Sequence, residues 1–297
     1  KGDLIFHKGS IPYDLENTTQ AFDTLCDIVT EQIAELNIDH DKILNICVDI
    51  SGRVNPESGY SYSIFNFSEQ PLSEALTNRI GYPVCIDNDT RALTYGEYIK
   101  GCVNGEKDVI FVNVSWGLAI GIIIDGKIYC GKSGFAGEFG HIPAFDNEIL
   151  CHCGKKGCLE TEASGRALHR ILIERVKNGE TSILSKKIAE GKQITLGEII
   201  NAINREDPLC IEILEEIGQK LGKQIASVIN VFNPELVIIG GRLSLTEDYL
   251  TEPIKSAIRK YSLNLVNKDS IIAVSKLKDK AGVIGACMLA RSRMFEC

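Results

Sequence analysis

The sequence predicts an α/β fold with two lobes. Short buried strands alternate with amphipathic helices along the chain, which is the pattern of α/β domains. At about 150 residues per domain, the 297 residues are enough for two lobes. Because no internal repeat, low-complexity tract or linker divides the chain, we expect the two lobes to share an intimate cleft.

The first third of the chain predicts three helices and two strands. Apolar residues recur at three- and four-residue steps after Asn17, a residue type favoured as an N-cap. The second apolar run ends in Asp87-Asn88-Asp89. In chain order we expect a helix from 17 to 36, a strand at 43–48, a Gly/Pro/Asn-rich loop at 51–59, a helix at 72–80, a strand at 84–86 and a helix at 90–100.

The remaining residues predict a hairpin sheet and then mostly helices. Asp125-Gly126 between two apolar runs is a strong hairpin signal, and Gly240-Gly241 ends a buried strand. The expected elements are strands at 108–114, 119–124 and 127–129, a glycine-rich loop at 131–140, helices at 166–178, 196–204 and 211–232, a strand at 236–239, a helix at 250–260, a strand at 271–275 and a helix at 281–291.

Charge and composition exclude several classes of protein. No run of about 18 apolar residues is present to cross a membrane. The net charge is −8 and no stretch is rich in Lys and Arg, so we expect no nucleic acid to bind these residues themselves. Most of the eleven cysteines stand singly in apolar runs, and the polar start Lys1-Gly2-Asp3 is not a signal peptide. Both observations predict a cytoplasmic protein in a reducing compartment.

Most cysteines stand singly, but Cys151, Cys153 and Cys158 lie close together in the sequence. Together with His141 they form the closed tetrahedral ligand set that structural zinc prefers. His152 is the alternative fourth ligand. We prefer His141, because residues adjacent in sequence chelate one ion poorly and Cys151 and Cys153 already occupy the two coordination positions nearest to His152. The alternative is a group of free surface thiols in a loop.

These ligands lie inside a longer motif. Gly137-Glu138-Phe139-Gly140-His141 is followed by Cys151-x-Cys153-Gly154-x-x-Gly157-Cys158-Leu159-Glu160, ten residues after the histidine. The motif closely resembles the signature of the ROK family, the sugar kinases and sugar-responsive repressors. The resemblance spans nearly the whole chain, because it also covers Gly81-Tyr82-Pro83-Val84, Asn88-Asp89, Asp125-Gly126-Lys127, Gly240-Gly241 and Gly285-Ala286.

The resemblance implies the actin-like ATPase fold of sugar kinases, two α/β lobes with the sugar cleft between them. We expect a smaller lobe of residues 1–89 and 279–297, and a larger lobe of residues 90–278 that carries the zinc loop 141–160. Lys1-Gly2-Asp3-Leu4-Ile5-Phe6 is similar to the turn and strand just after the family's N-terminal hairpin, so this hairpin is expected to be missing from the chain.

The resemblance also assigns sugar ligands. In the family the residues that match Asn88 and Asp89 sit at the sugar, and the aspartate of the kinases is the general base that accepts a hydroxyl proton. Residues matching Asn66, Glu138, His141 and Glu160 contact further hydroxyls, and paired carboxylates suit adjacent hydroxyls. His141 would hold zinc with one ring nitrogen and face the sugar with the other. By itself, Asn-Asp after a strand is more often an Asx turn, and the glutamates could be solvated loop charges.

The nucleotide side departs from the kinase pattern. Kinases of the family carry an Asp-x-Gly-x-Thr turn and a second phosphate loop, Gly-Thr-Gly-Ile-Gly, whose backbone N–H groups approach phosphate oxygens. Ser115-Trp116-Gly117-Leu118-Ala119 keeps only the middle glycine of the second loop, and Arg91 replaces a second asparagine. Asp49-Ile50-Ser51-Gly52 superficially resembles the first turn, but its position matches the family's Pro-Gly loop beside the sugar. Gly117, Gly240 and Gly241 are the remaining candidates for nucleotide contact.

Two functions follow. We favour the sugar-binding, effector-sensing and oligomerising part of a ROK transcriptional regulator, with a DNA-binding domain upstream of Lys1. The alternative is an ATP-dependent, glucokinase-like hexose or N-acetylhexosamine kinase that uses Mg²⁺ and has Asp89 as its general base. Structural Zn²⁺, a sugar such as glucose, N-acetylglucosamine, xylose or an oligosaccharide, and a homodimer or homotetramer are expected in either case.

Overall fold

The computed structural model describes residues 16–67 and 69–295, together with Phe6, Gly9 and Ile11. The turn and strand expected at residues 1–6 therefore lie almost wholly outside the described residues. The helices are α1 (Thr19–Leu36), α2 (Leu72–Ile80), α3 (Asp89–Lys100), α4 (Gly165–Lys177), α5 (Ser185–Ala189), α6 (Leu196–Asn204), α7 (Pro208–Phe232), α8 (Asp248–Tyr261), α9 (Asn264–Asp269) and α10 (Ala281–Phe295). The strands are β1 (Ile46–Ile50), β2 (Val54–Asn55), β3 (Tyr60–Ser61), β4 (Val84–Asn88), β5 (Val109–Val114), β6 (Leu118–Ile124), β7 (Lys127–Ile128), β8 (Leu236–Gly240) and β9 (Ile271–Val274).

The predicted helices and strands are present, with differences at several ends and in the short elements. Helix α7 begins at Pro208 rather than at residue 211, and α10 runs to Phe295 rather than to residue 291. The N-cap of α1 is Thr18, whose hydroxyl accepts the N–H of Ala21, because Asn17 is held instead by Asn66. β1 begins at Ile46 and runs to Ile50, since each of its residues pairs with one of β4. The short elements α5, α9 and the β2–β3 ladder lie in segments where the sequence shows no clear periodicity.

The chain folds into two compact units. The first comprises Lys1–Gly101, Tyr129–Ala136 and Lys280–Cys297, and the second comprises Cys102–Ile128 and Gly137–Asp279. The first unit thus takes in α3 and the segment at 129–136, which the sequence assigns to the larger lobe. For α3 the reason is close helix packing, because a Cβ on Gly96 of α3 or Gly285 of α10 would collide with a backbone carbonyl of the other helix. The segment at 129–136 is held to this unit by the bond from Arg91 of α3 to the carbonyl of Gly134.

The first unit is built on two parallel strands. β1 pairs with β4 from Ile46 opposite Val84 to Ile50 opposite Asn88. Helices α1 and α2 pack against these strands around a small apolar core. The two carboxyl ends lie side by side, so Ser51 after β1 and Asp89 after β4 emerge next to each other.

The second unit is built on a five-stranded sheet in the order β7-β6-β5-β8-β9. Its central strand β5 is buried throughout and pairs antiparallel with β6 and parallel with β8. Residues of the sheet and of α4, α6, α7 and α8 form one large apolar core. Because Asn113 lies opposite Gly240, the turn after β5 is placed beside Gly240-Gly241. In the described ranges, no helix combines the length and the apolar character needed to cross a membrane.

Asp207 anchors the amino end of α7, the longest helix of the second unit. Its buried carboxylate accepts the N–H of Cys210 at 2.9 Å, the N–H of Ile183 at 2.7 Å and the hydroxyl of Ser182 at 3.0 Å. Burial alone would raise the pKa of Asp207, but these hydrogen bonds lower it below its ordinary value of 3.8. The ionised side chain therefore ties the segment before α5 to α7.

We expect Asp207→Ala to lower the free energy of unfolding by about 2–3 kcal/mol, since it removes a cap and two further charge-assisted hydrogen bonds. Because the folded pKa lies below the unfolded one, this contribution is complete above the unfolded pKa and is lost as the pH falls through the folded pKa. Denaturant melts at several pH values measure both effects. The exposed cap Thr195 of α6 is the control, and Thr195→Ala should cost about 1 kcal/mol. Equal losses in the two variants would contradict the assignment.

Candidate functional site

Asn88 and Asp89 lie at the junction of β4 and α3 in the first unit. Asp89 accepts the hydroxyl of Ser51 at 2.6 Å on one carboxylate oxygen and the N–H of Thr90 at 2.7 Å on the other. Asn88 caps α3 by accepting the N–H of Arg91, and its amide donates to the carbonyl of Gly52. Asn88 thus has the structural role of an Asx cap, whereas the carboxylate of Asp89 is held as an acceptor at the end of the strand.

Ser51 and Asp49 belong to this carboxylate cluster. The resemblance placed their segment beside the sugar, but sequence reasoning did not predict their interactions with Asp89. Ser51 donates directly to Asp89. Desolvation raises the pKa of Asp49 to about 6, and the negative charges of Asp89 and Asp87 act in the same direction. The parallel pairing of two apolar runs that each end in polar residues is the signal that could have joined them, because parallel strands bring their carboxyl ends together.

Asn66 follows β3 in the same unit. Its side chain accepts a hydrogen bond from Asn17 at 2.6 Å and donates to the carbonyl of Tyr62 at 3.3 Å, and its N–H donates to Asn17 at 3.2 Å. Asn66 is exposed, so these contacts leave it at the surface next to Tyr62.

Arg91 is almost completely buried, at 3% exposure. Its guanidinium donates to Asp87 at 2.5 Å and to the carbonyls of Gly134 at 2.6 Å and Val54 at 3.0 Å. Asp87 is itself 1% exposed and also pairs with Arg293. Arg91 thereby fastens the glycine-rich segment around Gly134 to β2, which makes it a structural residue of the first unit.

The second unit brings His141, Cys151, Cys153 and Cys158 together. Their ligand atoms all lie within 4.8 Å of one another. His141 Nδ1 is 3.6 Å from Cys151 Sγ, and Cys153 Sγ is 3.6 Å from Cys158 Sγ. A zinc ion with bonds of about 2.3 Å to sulfur separates tetrahedral ligands by about 3.8 Å, so this donor set fits structural zinc.

The pKa values of the three thiols are shifted in different directions. Burial raises those of Cys151 and Cys158, whereas at Cys153 hydrogen bonds with Lys155, Cys151 and Cys158 outweigh burial and lower the pKa. Burial raises the pKa of Cys158 to about 12, and hydrogen bonds and negative charge from Cys153 and Cys151 add to this effect. Three thiolates at such distances repel each other, and a divalent cation is the group that neutralises them.

The two histidines of the loop at 141–160 have different surroundings. With Nδ1 of His141 on the cysteine side, its Nε2 lies 3.7 Å from a carboxylate oxygen of Glu138. His152 instead lies 3.0 Å from a carboxylate oxygen of Glu160, in a second group with Cys151. The geometry therefore groups His141 with all three cysteines and places its second nitrogen beside a predicted sugar ligand.

Glu160 joins the loop at 141–160 to the sheet. Its side chain is 6% exposed, and its second carboxylate oxygen accepts the N–H of Leu118 at 2.9 Å. A Cβ on Gly117 would lie 2.9 Å from this same oxygen, so the close approach of Glu160 accounts for the glycine at 117. Sequence reasoning assigned Glu160 to sugar alone and missed this bridge.

The turn at 115–117 is held by the residues around it. The hydroxyl of Ser115 accepts the N–H of Arg242 at 3.0 Å and donates to Asn113 at 2.8 Å. The first N–H groups of α4, at Gly165 and Arg166, donate to the carbonyls of Ser115 and Trp116. Trp116 projects from the turn with 41% exposure, and its ring meets that of His169 at 5.4 Å.

Gly240 and Gly241 also have packing reasons of their own. A Cβ on Gly240 would collide with the ring of Phe111. Gly241 has φ +81, and a Cβ there would collide with the side chains of Asn113 and Ser115. These contacts account for both glycines without a nucleotide.

The predicted site residues thus fall into two groups. The first unit holds Asn66, Asn88 and Asp89, which are connected through Ser51, Gly52 and Tyr62. The second unit holds Glu138, His141, Glu160 and the three cysteines, together with the turn at 115–117 and Gly240-Gly241.

The fold and the site together define a class of protein, an α/β chain with a Cys/His cluster beside the carboxylates of Glu138 and Glu160. The family model described as "ROK family" matches residues 7–293. The chain therefore belongs to the ROK family, and its actin-like ATPase fold is the one expected from the sequence. It is 33% identical to a xylose repressor of Caldicellulosiruptor bescii over 99% of this chain and 74% of the repressor.

Sugar kinases are also similar to this chain. A glucokinase of Halalkalibacterium halodurans is 29% identical over 97% of this chain and 89% of the kinase. The crystal structure of a ROK glucokinase from Streptomyces griseus with glucose and AMPPNP superimposes with a TM-score of 0.79, at 29% identity, over 94% of this chain and 90% of that one. The relatives therefore include both repressors and sugar kinases.

Proposed function

We propose that the chain is the sugar-binding part of a ROK transcriptional regulator. In this proposal its ligand is a monosaccharide or a sugar derivative, a structural zinc is bound by His141, Cys151, Cys153 and Cys158, and phosphoryl transfer does not take place. DNA would be contacted by a part of the protein other than these residues, because the chain has a net charge of −8 and no stretch rich in Lys and Arg.

The filled turn at 115–117 is the observation that carries the regulator proposal. A phosphate loop works by offering unpaired backbone N–H groups to phosphate oxygens. Here the hydroxyl of Ser115 takes the N–H of Arg242, and the carboxylate of Glu160 takes the N–H of Leu118. The first N–H groups of α4 are taken by the turn's own carbonyls. These four N–H groups flank the turn and are used within the protein, and the N–H of Ser115 donates to the carbonyl of Gly117 inside it. Trp116 stands where the kinases of the family have a small hydroxyl residue.

The sugar proposal rests on acceptors that hydroxyl groups can use. Asp89 and Glu138 each present a carboxylate that accepts charge-assisted hydrogen bonds from hydroxyl groups. If zinc occupies the Cys/His cluster on Nδ1 of His141, the tautomer of the ring is fixed and Nε2 becomes a donor beside Glu138. Zinc then organises the ligand site without taking part in chemistry.

Calorimetry with common hexoses, pentoses and their N-acetyl forms tests sugar binding. Glu138→Ala should weaken binding roughly ten- to a hundredfold, since losing one charge-assisted hydrogen bond costs about 1.5–3 kcal/mol. Glu148→Ala is the matched control, because Glu148 lies in the same segment but is 87% exposed and pairs only at the surface with Lys156. If none of the sugars binds the wild-type protein, the sugar proposal is wrong.

The kinase alternative is favoured by one observation. Asp89 accepts hydrogen bonds from Ser51 and Thr90 that hold its carboxylate in place, which is what a general base for a sugar hydroxyl needs. The glucokinases among the relatives have the same family fold. A turnover measurement separates the two functions, and it is given at the end of the Discussion.

A further inference from the structure

Cys47 of β1 and Cys85 of β4 lie directly opposite each other in the first unit. Neighbouring strands are about 4.8 Å apart, and a disulfide needs two Cα atoms about 4.4–6.8 Å apart, so the strand spacing lies within the range of a disulfide. The two thiols already meet, because they are hydrogen-bonded to each other. The strand register therefore places two thiols where a covalent bond can join them without a large movement of the backbone.

The face of β1 and β4 that carries the two cysteines is polar. Side chains alternate between the two faces of a strand, and the apolar residues of both strands pack with α1 and α2 in the core of the first unit. Asp49, opposite Asp87, shares the other face with the cysteines. Helix α10 covers this face, since a Cβ on Gly282 would lie 3.2 Å from a carboxylate oxygen of Asp49 and Arg293 pairs with Asp87. The thiols thus lie among charged groups rather than in an apolar core.

Arg293 of α10 makes the two thiols unequal. Its guanidinium donates to the carbonyl of Ile86 at 3.1 Å and forms a hydrogen bond with the thiol of Cys85. The hydrogen bond with Cys47 and the positive charge of Arg293 lower the pKa of Cys85 to about 7, although burial and the charge of Asp87 act in the opposite direction. The hydrogen bond with Cys85 and burial raise the pKa of Cys47. Cys85 is therefore the thiolate of the pair, and Cys47 is its hydrogen-bonded thiol.

We propose that Cys47 and Cys85 form a reversible disulfide in response to hydroperoxides, with Cys85 as the reacting thiol and Cys47 as the resolving thiol. The sulfur of Cys85 attacks one oxygen of the hydroperoxide, an S–O bond forms, and the O–O bond breaks with loss of water or an alcohol. The sulfur of Cys47 then attacks that of Cys85, an S–S bond forms, and the oxygen leaves as water with the proton of Cys47. Two electrons pass to the peroxide, and a dithiol reductant returns them to restore both thiols.

Two other thiols of the same unit show why the pair is selective. Cys26 is fully buried, and burial raises its pKa to about 11. Cys287 is an exposed residue of α10, but desolvation of its thiol and the negative charges of Asp49 and Cys85 raise its pKa. Cys47 and Cys85 are half-buried, which leaves them open to a molecule as small as hydrogen peroxide. Exposure alone would make Cys287 the most reactive of these thiols, whereas the paired geometry selects Cys85.

Peptide mass spectrometry tests the proposal after the intact protein has been treated with hydrogen peroxide and its free thiols have been blocked. Trypsin, which cleaves after Lys and Arg, releases Cys47 in the peptide 43–53 and Cys85 in the peptide 80–91, each as the sole cysteine of its peptide. We expect these peptides as one disulfide-linked pair, and as two free peptides after dithiothreitol. In Cys47→Ser, dimedone should trap a sulfenic acid at Cys85, whereas in Cys85→Ser the thiol of Cys47 should remain.

Cys287→Ser is the matched control, since it removes a more exposed thiol of the same unit and should leave the linked peptides unchanged. In the reduced wild-type protein at pH 7, iodoacetamide should react with Cys85 about tenfold faster than with Cys287. The proposal is overturned if peroxide yields no linked pair of these two peptides, if Cys85 pairs with Cys287 instead, or if Cys287 is alkylated faster than Cys85. Oxidation of the cysteines at 151–158 is read from other peptides, so the result is independent of zinc and of sugar binding.

Discussion

Cys153→Ser is expected to release zinc and to unfold the loop that joins Cys151 to Glu160. Structural zinc sites contribute directly to folding, by about 10–16 kcal/mol in zinc-finger peptides, and the loss of one of four ligands removes most of the affinity. Glu160 would then lose the support of the loop, and its bond to Leu118 with it. Elemental analysis should find one zinc per wild-type chain and none in the variant, and sugar affinity should fall with the metal.

Two further variants decide which histidine holds the metal. His141→Ala should lose zinc, whereas His152→Ala should keep it, because His141 shares one group with all three cysteines and His152 faces Glu160. Cys130→Ser is the control for thiol removal outside the cluster. Carefully purified wild-type protein without zinc, or unchanged sugar affinity in Cys153→Ser, contradicts the structural role of the metal.

Arg91→Met should destabilise the first unit by about 3–5 kcal/mol, the usual cost of removing one member of a buried ion pair. The variant keeps the bulk of the side chain but leaves the buried carbonyls of Gly134 and Val54 without their donor. It also leaves Asp87 with Arg293 as its remaining cationic partner among the described residues. Chemical denaturation measures the loss of stability, and protease cleavage near Gly134 should increase.

Arg79→Met is the matched control, since Arg79 pairs with Asp27 and Asp23 of α1 at the surface of the same unit. Exposed pairs contribute about 0–1 kcal/mol, so this variant should be nearly as stable as the wild type. If both variants are equally stable, Arg91 does not fasten the glycine-rich segment.

Local patterns made much of the fold predictable. The apolar periodicity of α6 and its Thr195–Glu198 capping box identify that helix at the residues where the structure has it. Asp125-Gly126 fixes the turn between β6 and β7. The ligand types and spacing of the Cys/His motif allowed its grouping to be predicted, because ligands close in sequence are brought together by one loop.

The contacts that the sequence did not predict depend on tertiary structure. Asn17 looks as good a helix cap as Thr18, but its partner Asn66 lies 49 residues away. Glu160 is a residue type that suits sugar hydroxyls. Its second role, joining the loop to the sheet, appears only in its bond to the N–H of Leu118, 42 residues away. In the sequence, Arg91 is only a departure from a kinase motif. Its burial and its bond to the carbonyl of Gly134 depend on the fold of the first unit.

Sugar-dependent release of ADP by the full-length protein is the most direct test of the central claim that this ROK chain senses a sugar without phosphorylating it. With saturating sugar, ATP and Mg²⁺, we expect turnover at background, and Asp89→Asn should change sugar affinity while ATP turnover stays the same. The N–H groups of Arg242 and Leu118, which flank the turn at 115–117, are used within the protein, so they are not free to hold a γ-phosphate. Turnover at about 1–100 per second that Asp89→Asn abolishes would contradict the regulator proposal and establish a sugar kinase.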